Sequence, residues 1–142
     1  VEAFDLITLI DVIEHLSAEE LIPVGRAIYS SLKAGGRLIV QTCNAASPSA
    51  LLSRYFDLTH QRSFTEESLS QWLKTAGFKT YRFFPTEEPI ASLKGEVRKG
   101  LRSIYYSLIR FCRLLEHAYN PKILTPTFFA VATKEAQGEG SG

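Results

Sequence analysis

The chain has 142 residues, 45% of them hydrophobic, and a formal net charge of +1. Such a length holds one domain or part of one, the near-neutral balance gives no reason to expect nucleic acid as a partner, and no apolar run approaches the roughly 18–20 residues of a transmembrane helix. The N-terminus carries no signal-peptide pattern, and Cys43 and Cys112 fit reduced thiols in a cytoplasmic α/β chain. There is no methionine, and VEAFD leads directly into an apolar run, so further chain is expected before Val1.

Leu6 to Ile10, interrupted only by Thr8, is short, apolar and rich in β-branched residues. It reads as a strand buried on both faces, as in parallel sheets covered by helices. Ligands of such sheets bind beyond the carboxyl ends of the strands, and Asp11, Glu14 and His15 stand at this end. Ser17 with Glu20 has the capping-box pattern of a helix start. Pro23 predicts a kink or restart. The helix then runs to about Lys33, burying Val24, Ala27, Ile28 and Leu32, and Gly35-Gly36 ends it. Arg37 to Thr42 is a second strand, completing a right-handed βαβ unit. Its end would bring Gln41, Thr42, Cys43 and Asn44 beside the Asp11 cluster if the two strands are neighbours.

Ser47-Pro48 reads as a cap with proline first in a short helix to Phe56. Asp57 to Phe64 is polar and irregular. Thr65 caps the next helix, whose apolar side carries Leu69, Trp72, Leu73 and Ala76, and Gly77 ends it. Phe78 to Phe84 is a third strand. Leu93 to His117 is a long amphipathic helix with a potential break at Gly100. Leu93, Val97, Leu101, Ile104, Leu108, Cys112 and Leu115 form its apolar stripe. Lys94, Arg98, Lys99, Arg102, Arg110 and Arg113 dominate its polar side. Thr127 to Thr133 is the last strand, and the polar, glycine-rich tail from Ala136 is expected to be disordered. The domain is therefore placed at 1–135, with 93–119 as a helical insertion and 136–142 as the tail.

In this order and spacing, FDLITLIDVIEHL, LKAGGRLIVQT and DLTHQRSFTEESLSQWLKTAGF resemble the second half of a class I S-adenosylmethionine-dependent methyltransferase, closest to the type 11/12 small-molecule group. The resemblance covers Phe4 to Phe84, with TFFAVATK as the expected last strand. It implies an α/β fold, the C-terminal half only of a Rossmann-like methyltransferase sheet. The family strands present would be 4-5-7-6, the last antiparallel, with a long amphipathic helical insertion before it. The family's first three strands, its glycine-rich cofactor loop and the acidic residue on the ribose have no counterpart. Gly35-Gly36 lies between a helix and a strand, the reverse of the order such a loop needs. A fragment of this kind is expected to bind cofactor poorly by itself. Its first strand, 4–10, would present an open hydrophobic edge that invites self-association.

The resemblance implies S-adenosylmethionine as cofactor, with Asp11, Val12 and Ile13 at its methionine part. The protein's task is then to hold donor and acceptor close and aligned. His15 and His60 are candidate general bases, and Glu14, Asn44 and Arg62 are candidate substrate contacts. A structural reading stands beside each: Asp11 capping the turn, the histidines bonding loop backbone, Arg62 pairing with Asp57 or Glu66. Asp11, Glu14 and His15 share one face if the segment is helical. With His60 they would offer a site for a divalent cation, similar to the Glu-x-x-Glu-His pattern of ubiquinone-pathway O-methyltransferases and small-RNA 2′-O-methyltransferases. The first position here is aspartate, one methylene shorter, which leaves the metal open. The long helix has three readings: a stripe packed on the domain, a lid over the substrate mouth, or peripheral contact with an anionic membrane through 93–117.

The function so implied is methyl transfer to a small-molecule, lipid or saccharide acceptor, in the cytoplasm or at the inner membrane face. Two alternatives remain. One is a non-catalytic half-domain or scaffold that pairs with a separate N-terminal chain. The other is half of a dinucleotide-binding dehydrogenase, which an antiparallel last strand between the second and third strands would exclude.

Overall fold

A computed structural model describes residues 2–87, 92–116 and 120–135. The tail from Ala136 and the expected helix end at His117 lie outside the described residues. The strands are β1 (Phe4–Ile10), β2 (Leu32–Cys43), β3 (Thr80–Pro85) and β4 (Thr127–Thr133). They form one sheet in the order β1-β2-β4-β3. β1 and β2 are parallel, and β4 runs antiparallel between β2 and β3. This is the 4-5-7-6 order of a Rossmann-like methyltransferase sheet. It excludes the dehydrogenase half, whose sheet would be parallel there. The helices are α1 (Ala18–Ser31), α2 (Ala50–Tyr55), α3 (Glu66–Ala76) and α4 (Leu93–Leu115).

The capping box forms at α1: the Glu20 N–H donates to Ser17 Oγ at 3.3 Å and the Ser17 N–H to Glu20 Oε2 at 2.8 Å. Of the expected kink or restart, the restart does not occur: α1 runs unbroken through Pro23. Pro23 and Glu19 are both exposed, so water can meet the carbonyl that loses its partner. The helix also stops earlier than its sequence suggests. Leu32 is already extended, with φ −74° and ψ 139°. The glycine pair, expected as a helix cap, instead forms a bulge inside β2, where the register shifts from Phe4↔Leu32 to Leu6↔Arg37. Gly35 has φ +76°, and a Cβ on Gly36 would lie 2.8 Å from the Lys33 carbonyl and 3.1 Å from that of Phe4. The Gly35 N–H donates to the Lys134 carbonyl, and the Lys134 N–H to that of Gly36, both at 2.9 Å.

One face of the sheet makes the core. Ile7 and Leu9, Leu38 and Val40, Phe128, Ala130 and Ala132, and Tyr81 and Phe83 pack there with Leu69, Trp72, Leu73 and Ala76 of α3. α1 joins through Leu21, Ile28 and Tyr29 rather than through Val24 and Ala27. Gly25 sets this face, since a Cβ there would be 3.0 Å from the Ala76 Cβ. The Trp72 indole donates to the Leu21 carbonyl at 2.7 Å and ties α3 to α1. The other face of β1 is open: Leu6 and Ile10 are 52% and 50% exposed. The strand is therefore not buried on both faces, because it lies at the sheet edge with β2 as its one neighbour.

Thr65 and Gly77, the latter at φ 121°, bound α3 as expected, and Thr65 also forms a second capping box with Ser68. The cap of α2 is Ser49 rather than Ser47. The Ser47 hydroxyl accepts from the Ser49 N–H instead, a local bond that delays the helix. α4 departs furthest from expectation. It is unbroken at Gly100, and its apolar stripe does not pack on the domain: Leu93, Val97, Leu101, Ile104 and Leu108 are between 58% and 82% exposed. Arg102, Arg110 and Arg113 of its basic side are partly buried instead, while Lys94, Arg98 and Lys99 stay exposed; Arg110 donates to the Lys122 carbonyl and Arg113 to the Ala46 carbonyl, both at 2.8 Å. Among the described residues no helix is long and apolar enough to cross a membrane.

Gly36→Ala is expected to lower stability by about 1–3 kcal/mol, since backbone carbonyls cannot yield to the added methyl. The urea midpoint measures this.

Candidate active site

The ladder between β1 and β2 continues one residue beyond the strand. The Asp11 N–H donates to the Gln41 carbonyl at 3.1 Å. Asp11 then takes φ +51°, the one positive φ of a non-glycine residue among those described. Aspartate tolerates this left-handed conformation better than most, and it turns the chain off the sheet into a 3-10 turn, Ile13–His15. The Gln41 amide, 3.3 Å from both Asp11 oxygens, orients that exposed carboxylate. Val12 is exposed at the same rim, whereas Ile13 is fully buried in the core.

Glu14 is fully buried. Its Oε2 accepts from the Thr42 hydroxyl at 3.0 Å, and Cys43 Sγ lies 3.8 Å from Oε1. Its main-chain carbonyl accepts from the N–H groups of Gln61 and Arg62 at 2.8 and 3.3 Å. Glu14 thus ties the turn, the end of β2 and the 57–63 loop together. Asn44 is placed likewise. It is 1% exposed; its amide nitrogen donates to the carbonyls of Ile123 and Thr125, and its oxygen accepts from Ala46 N–H. Arg62 pairs with neither Asp57 nor Glu66. Its side chain lines a separate cleft of about 330 Å³ between α1 and α3.

The two histidines do converge, with ring centroids 4.7 Å apart and edge to face. Thr59 Oγ1 donates to Asp57 Oδ1 at 2.6 Å and lies 2.9 Å from His15 Nδ1. With its proton directed to Asp57, the threonine oxygen accepts from His15, so Nδ1 carries the hydrogen and Nε2 keeps a lone pair. His60 Nδ1 lies 2.9 Å from the Ser53 carbonyl. A carbonyl only accepts, so His60 also keeps Nε2 unprotonated in its neutral form. The sequence reading missed Thr59 and Asp57. Their signal was the D-x-T spacing of an Asx turn, in which the Thr59 N–H donates to Asp57 Oδ1 at 2.8 Å.

The Thr59 hydroxyl and N–H hold the Asp57 carboxyl below its ordinary range, with smaller help from the charges of His60 and His15. Burial, reinforced by the carboxylates of Glu14 and Asp11, pushes the Cys43 thiol up to about 11. Cys43 is therefore a neutral thiol at pH 7, no nucleophile and no thiolate ligand. The cation site expected from Asp11, Glu14, His15 and His60 is not assembled, because Asp11 turns to Gln41 while Glu14 turns inward. Two other trios, His15 with Asp57 and His60, and Glu14 with Cys43 and His60, each have ligand atoms within 4.8 Å of one another.

A family model for a methyltransferase domain matches residues 2–82. The chain belongs to that methyltransferase family. No curated protein matches it. The SAM-dependent methyltransferase of Archaeoglobus fulgidus is similar in fold, with a TM-score of 0.63 at 20% identity over 94% of this chain and 60% of that one. A SAM-dependent methyltransferase from Thermotoga maritima gives 0.62 at 17% identity, over 94% of this chain and 57% of that one. Human N-acetylserotonin methyltransferase in complex with SAM gives 0.53 at 15%, over 93% and 30%. This methyltransferase chain thus spans about three-fifths of the length of the first two. The matched fold is the class I, Rossmann-like one.

Two outcomes are expected in solution. A depressed folded-state carboxyl stabilises the loop at pH above its ordinary value of 3.8, and that stabilisation is lost as pH falls through the depressed value. Thr59→Val, which removes the first cause of the depression, should move the Asp57 titration upward in carboxyl-carbon NMR. At pH 8, iodoacetamide should alkylate exposed Cys112 and spare buried Cys43, as peptide mass analysis would show.

Proposed function

We propose that this chain supplies the acceptor half of an S-adenosylmethionine-dependent methyltransferase, with His15 as general base. The observation that carries the reading is the relay from His15 Nδ1 through Thr59 to Asp57 at the carboxyl end of β1. The acceptor is a hydroxyl- or amine-bearing small molecule, lipid or saccharide. When bound, S-adenosylmethionine supplies an electrophilic methyl group on sulfur. His15 Nε2 takes the acceptor proton as the new bond to carbon forms and the sulfur–carbon bond breaks. The imidazolium keeps its Nδ1–H on Thr59, and the Asp57 charge stabilises it. His60, held by Ser53, packs edge to face against the His15 ring.

Asp11 and Val12, exposed at the strand end, suit the ammonium and chain of the cofactor's methionine part. No glycine-rich loop after a strand precedes Asp11 in this sequence. The adenosine end would therefore be held by chain lying beyond the open edge of β1. That edge also favours a second reading, a half-domain or scaffold that pairs there with another chain or a second copy. The outward stripe of α4 would suit a lipid surface at the inner membrane face, with the remainder of the protein in the cytoplasm.

Calorimetry with S-adenosylhomocysteine tests the division of labour. The 142-residue chain should show no saturable binding, and the product of the full coding sequence should bind. Micromolar affinity in the short chain would overturn the account. In the active protein, His15→Ala should cut kcat about 10²–10⁴-fold with cofactor affinity retained. An unchanged kcat would remove His15 as the base.

A further inference from the structure

The inverted seating of α4 encloses a cleft of about 460 Å³ between its inner side, the end of β3 and the segment leading into β4. Cavities of roughly 300–1,000 Å³ are the size of small-ligand sites. Lys99, Arg102, Arg110 and Lys122 line it, with Glu87 as the one acidic side chain among the lining residues. Among the described residues, Lys99, Arg102 and Lys122 form no ion pair. Arg110 gives one N–H to the Lys122 carbonyl and keeps its other donors. Like charges gathered on one cavity repel one another unless an anion lies between them. Tyr106 adds a hydroxyl; burial pushes it above the ordinary phenol range against the pull of Arg102 and Arg110, which places both guanidiniums near it.

The wall opposite α4 is built rather than loose. Asn44 holds the carbonyls of Ile123 and Thr125, and Glu66 Oε2 accepts the N–H groups of Lys122 and Ile123 at 3.0 and 3.1 Å. Ile123 and Leu124 are 7% and 2% exposed. Because β4 is antiparallel, its amino end lies at the same end of the sheet as the carboxyl ends of β1 and β2. The cleft therefore opens at the end where His15 and His60 stand, and its wall hangs from Asn44, the residue that follows β2.

We propose that this cleft binds a phosphate or pyrophosphate group, the anionic part of a phosphorylated acceptor. Planar guanidiniums and flexible ammoniums together suit the several oxygens of such a group. The acceptor role rests on the methyl-transfer reading; the binding does not, so a failed methylation assay and a failed binding assay are separate results. The group can belong to a soluble phosphate ester or to a lipid headgroup, which the outward apolar stripe of α4 would bring near.

Inorganic pyrophosphate is titrated into the 142-residue chain at low ionic strength. Saturable binding is expected at one site. It should weaken about tenfold or more in Lys99→Ala/Arg102→Ala, which removes two charge-assisted contacts. Arg26→Ala/Lys74→Ala, with the same loss of charge outside the cleft, should bind as wild type. Lys99→Gln alone serves if circular dichroism shows the double variant unfolded, and it too should weaken binding. In a second arm, phosphatidylcholine vesicles with and without phosphatidic acid are sedimented with each protein. Phosphatidic acid-dependent binding that is lost in the cleft variant assigns a lipid source, and pyrophosphate binding without it assigns a soluble one. Absence of both, or equal weakening in the control variant, overturns the proposal.

Discussion

β1 and β2 run parallel, and the last bond of their ladder joins the Asp11 N–H to the Gln41 carbonyl. That register decides where the chemistry stands. It stops β1 at the level of Gln41, so the turn that follows lies over Thr42 and Cys43. Glu14 then faces a hydroxyl and a thiol instead of water. A buried carboxylate costs several kcal/mol unless its oxygens are met. Here Thr42 meets one oxygen and Cys43 approaches the other, while the Glu14 carbonyl takes the N–H groups that orient the 57–63 loop. The loop that carries His60 and Thr59 is thereby tied to the strand end that carries His15.

The histidine pair is a product of that tie. Neither residue holds the other directly. Thr59 fixes one ring and the Ser53 carbonyl fixes the other, each through Nδ1. Both rings keep Nε2 as the remaining acceptor in the neutral form. On the proposed reading this suits a general base at His15: its Nε2 is left for a substrate, and its Nδ1 is bonded through Thr59 toward a carboxylate that the Thr59 bonds keep ionised, whereas His60 Nδ1 meets a main-chain carbonyl.

α4 obeys a different constraint. An amphipathic helix ordinarily buries its apolar stripe. Here the inward side is taken by arginines that satisfy carbonyls at Ala46 and Lys122, and by Tyr106. The edge strand β3 offers a narrow surface, with Phe84 and Pro85 exposed near its end. Docking by hydrogen bonds leaves the stripe outside and encloses cations beneath the helix, so one seating accounts for both the apolar outer surface and the basic cleft.

Much of this was legible along the chain. The four strands, the Ser17–Glu20 capping box, Thr65 as a helix cap, Gly77 as a stop and Trp72 in the core follow from local rules of periodicity and backbone conformation, which act over a few residues. Asp11 and His15 were recognisable as site candidates because strand ends carry chemistry in parallel sheets, and His60 through the resemblance of its loop to that of the family. Local rules were silent on contacts made across the fold. Gly35-Gly36 reads the same whether it caps a helix or forms a bulge, and only the approach of Phe4 and Lys134 selects the bulge. Glu14, Asn44 and Arg62 are polar residues whose roles depend on what faces them. Thr42 and Cys43 turn the first inward, the carbonyls of Ile123 and Thr125 occupy the second, and the α1–α3 cleft takes the third. The order of residues therefore determined the elements and the end of the sheet where the site lies. Burial, relay partners and the direction of α4 were decided by tertiary packing, because each depends on groups distant in the chain that meet only when it folds.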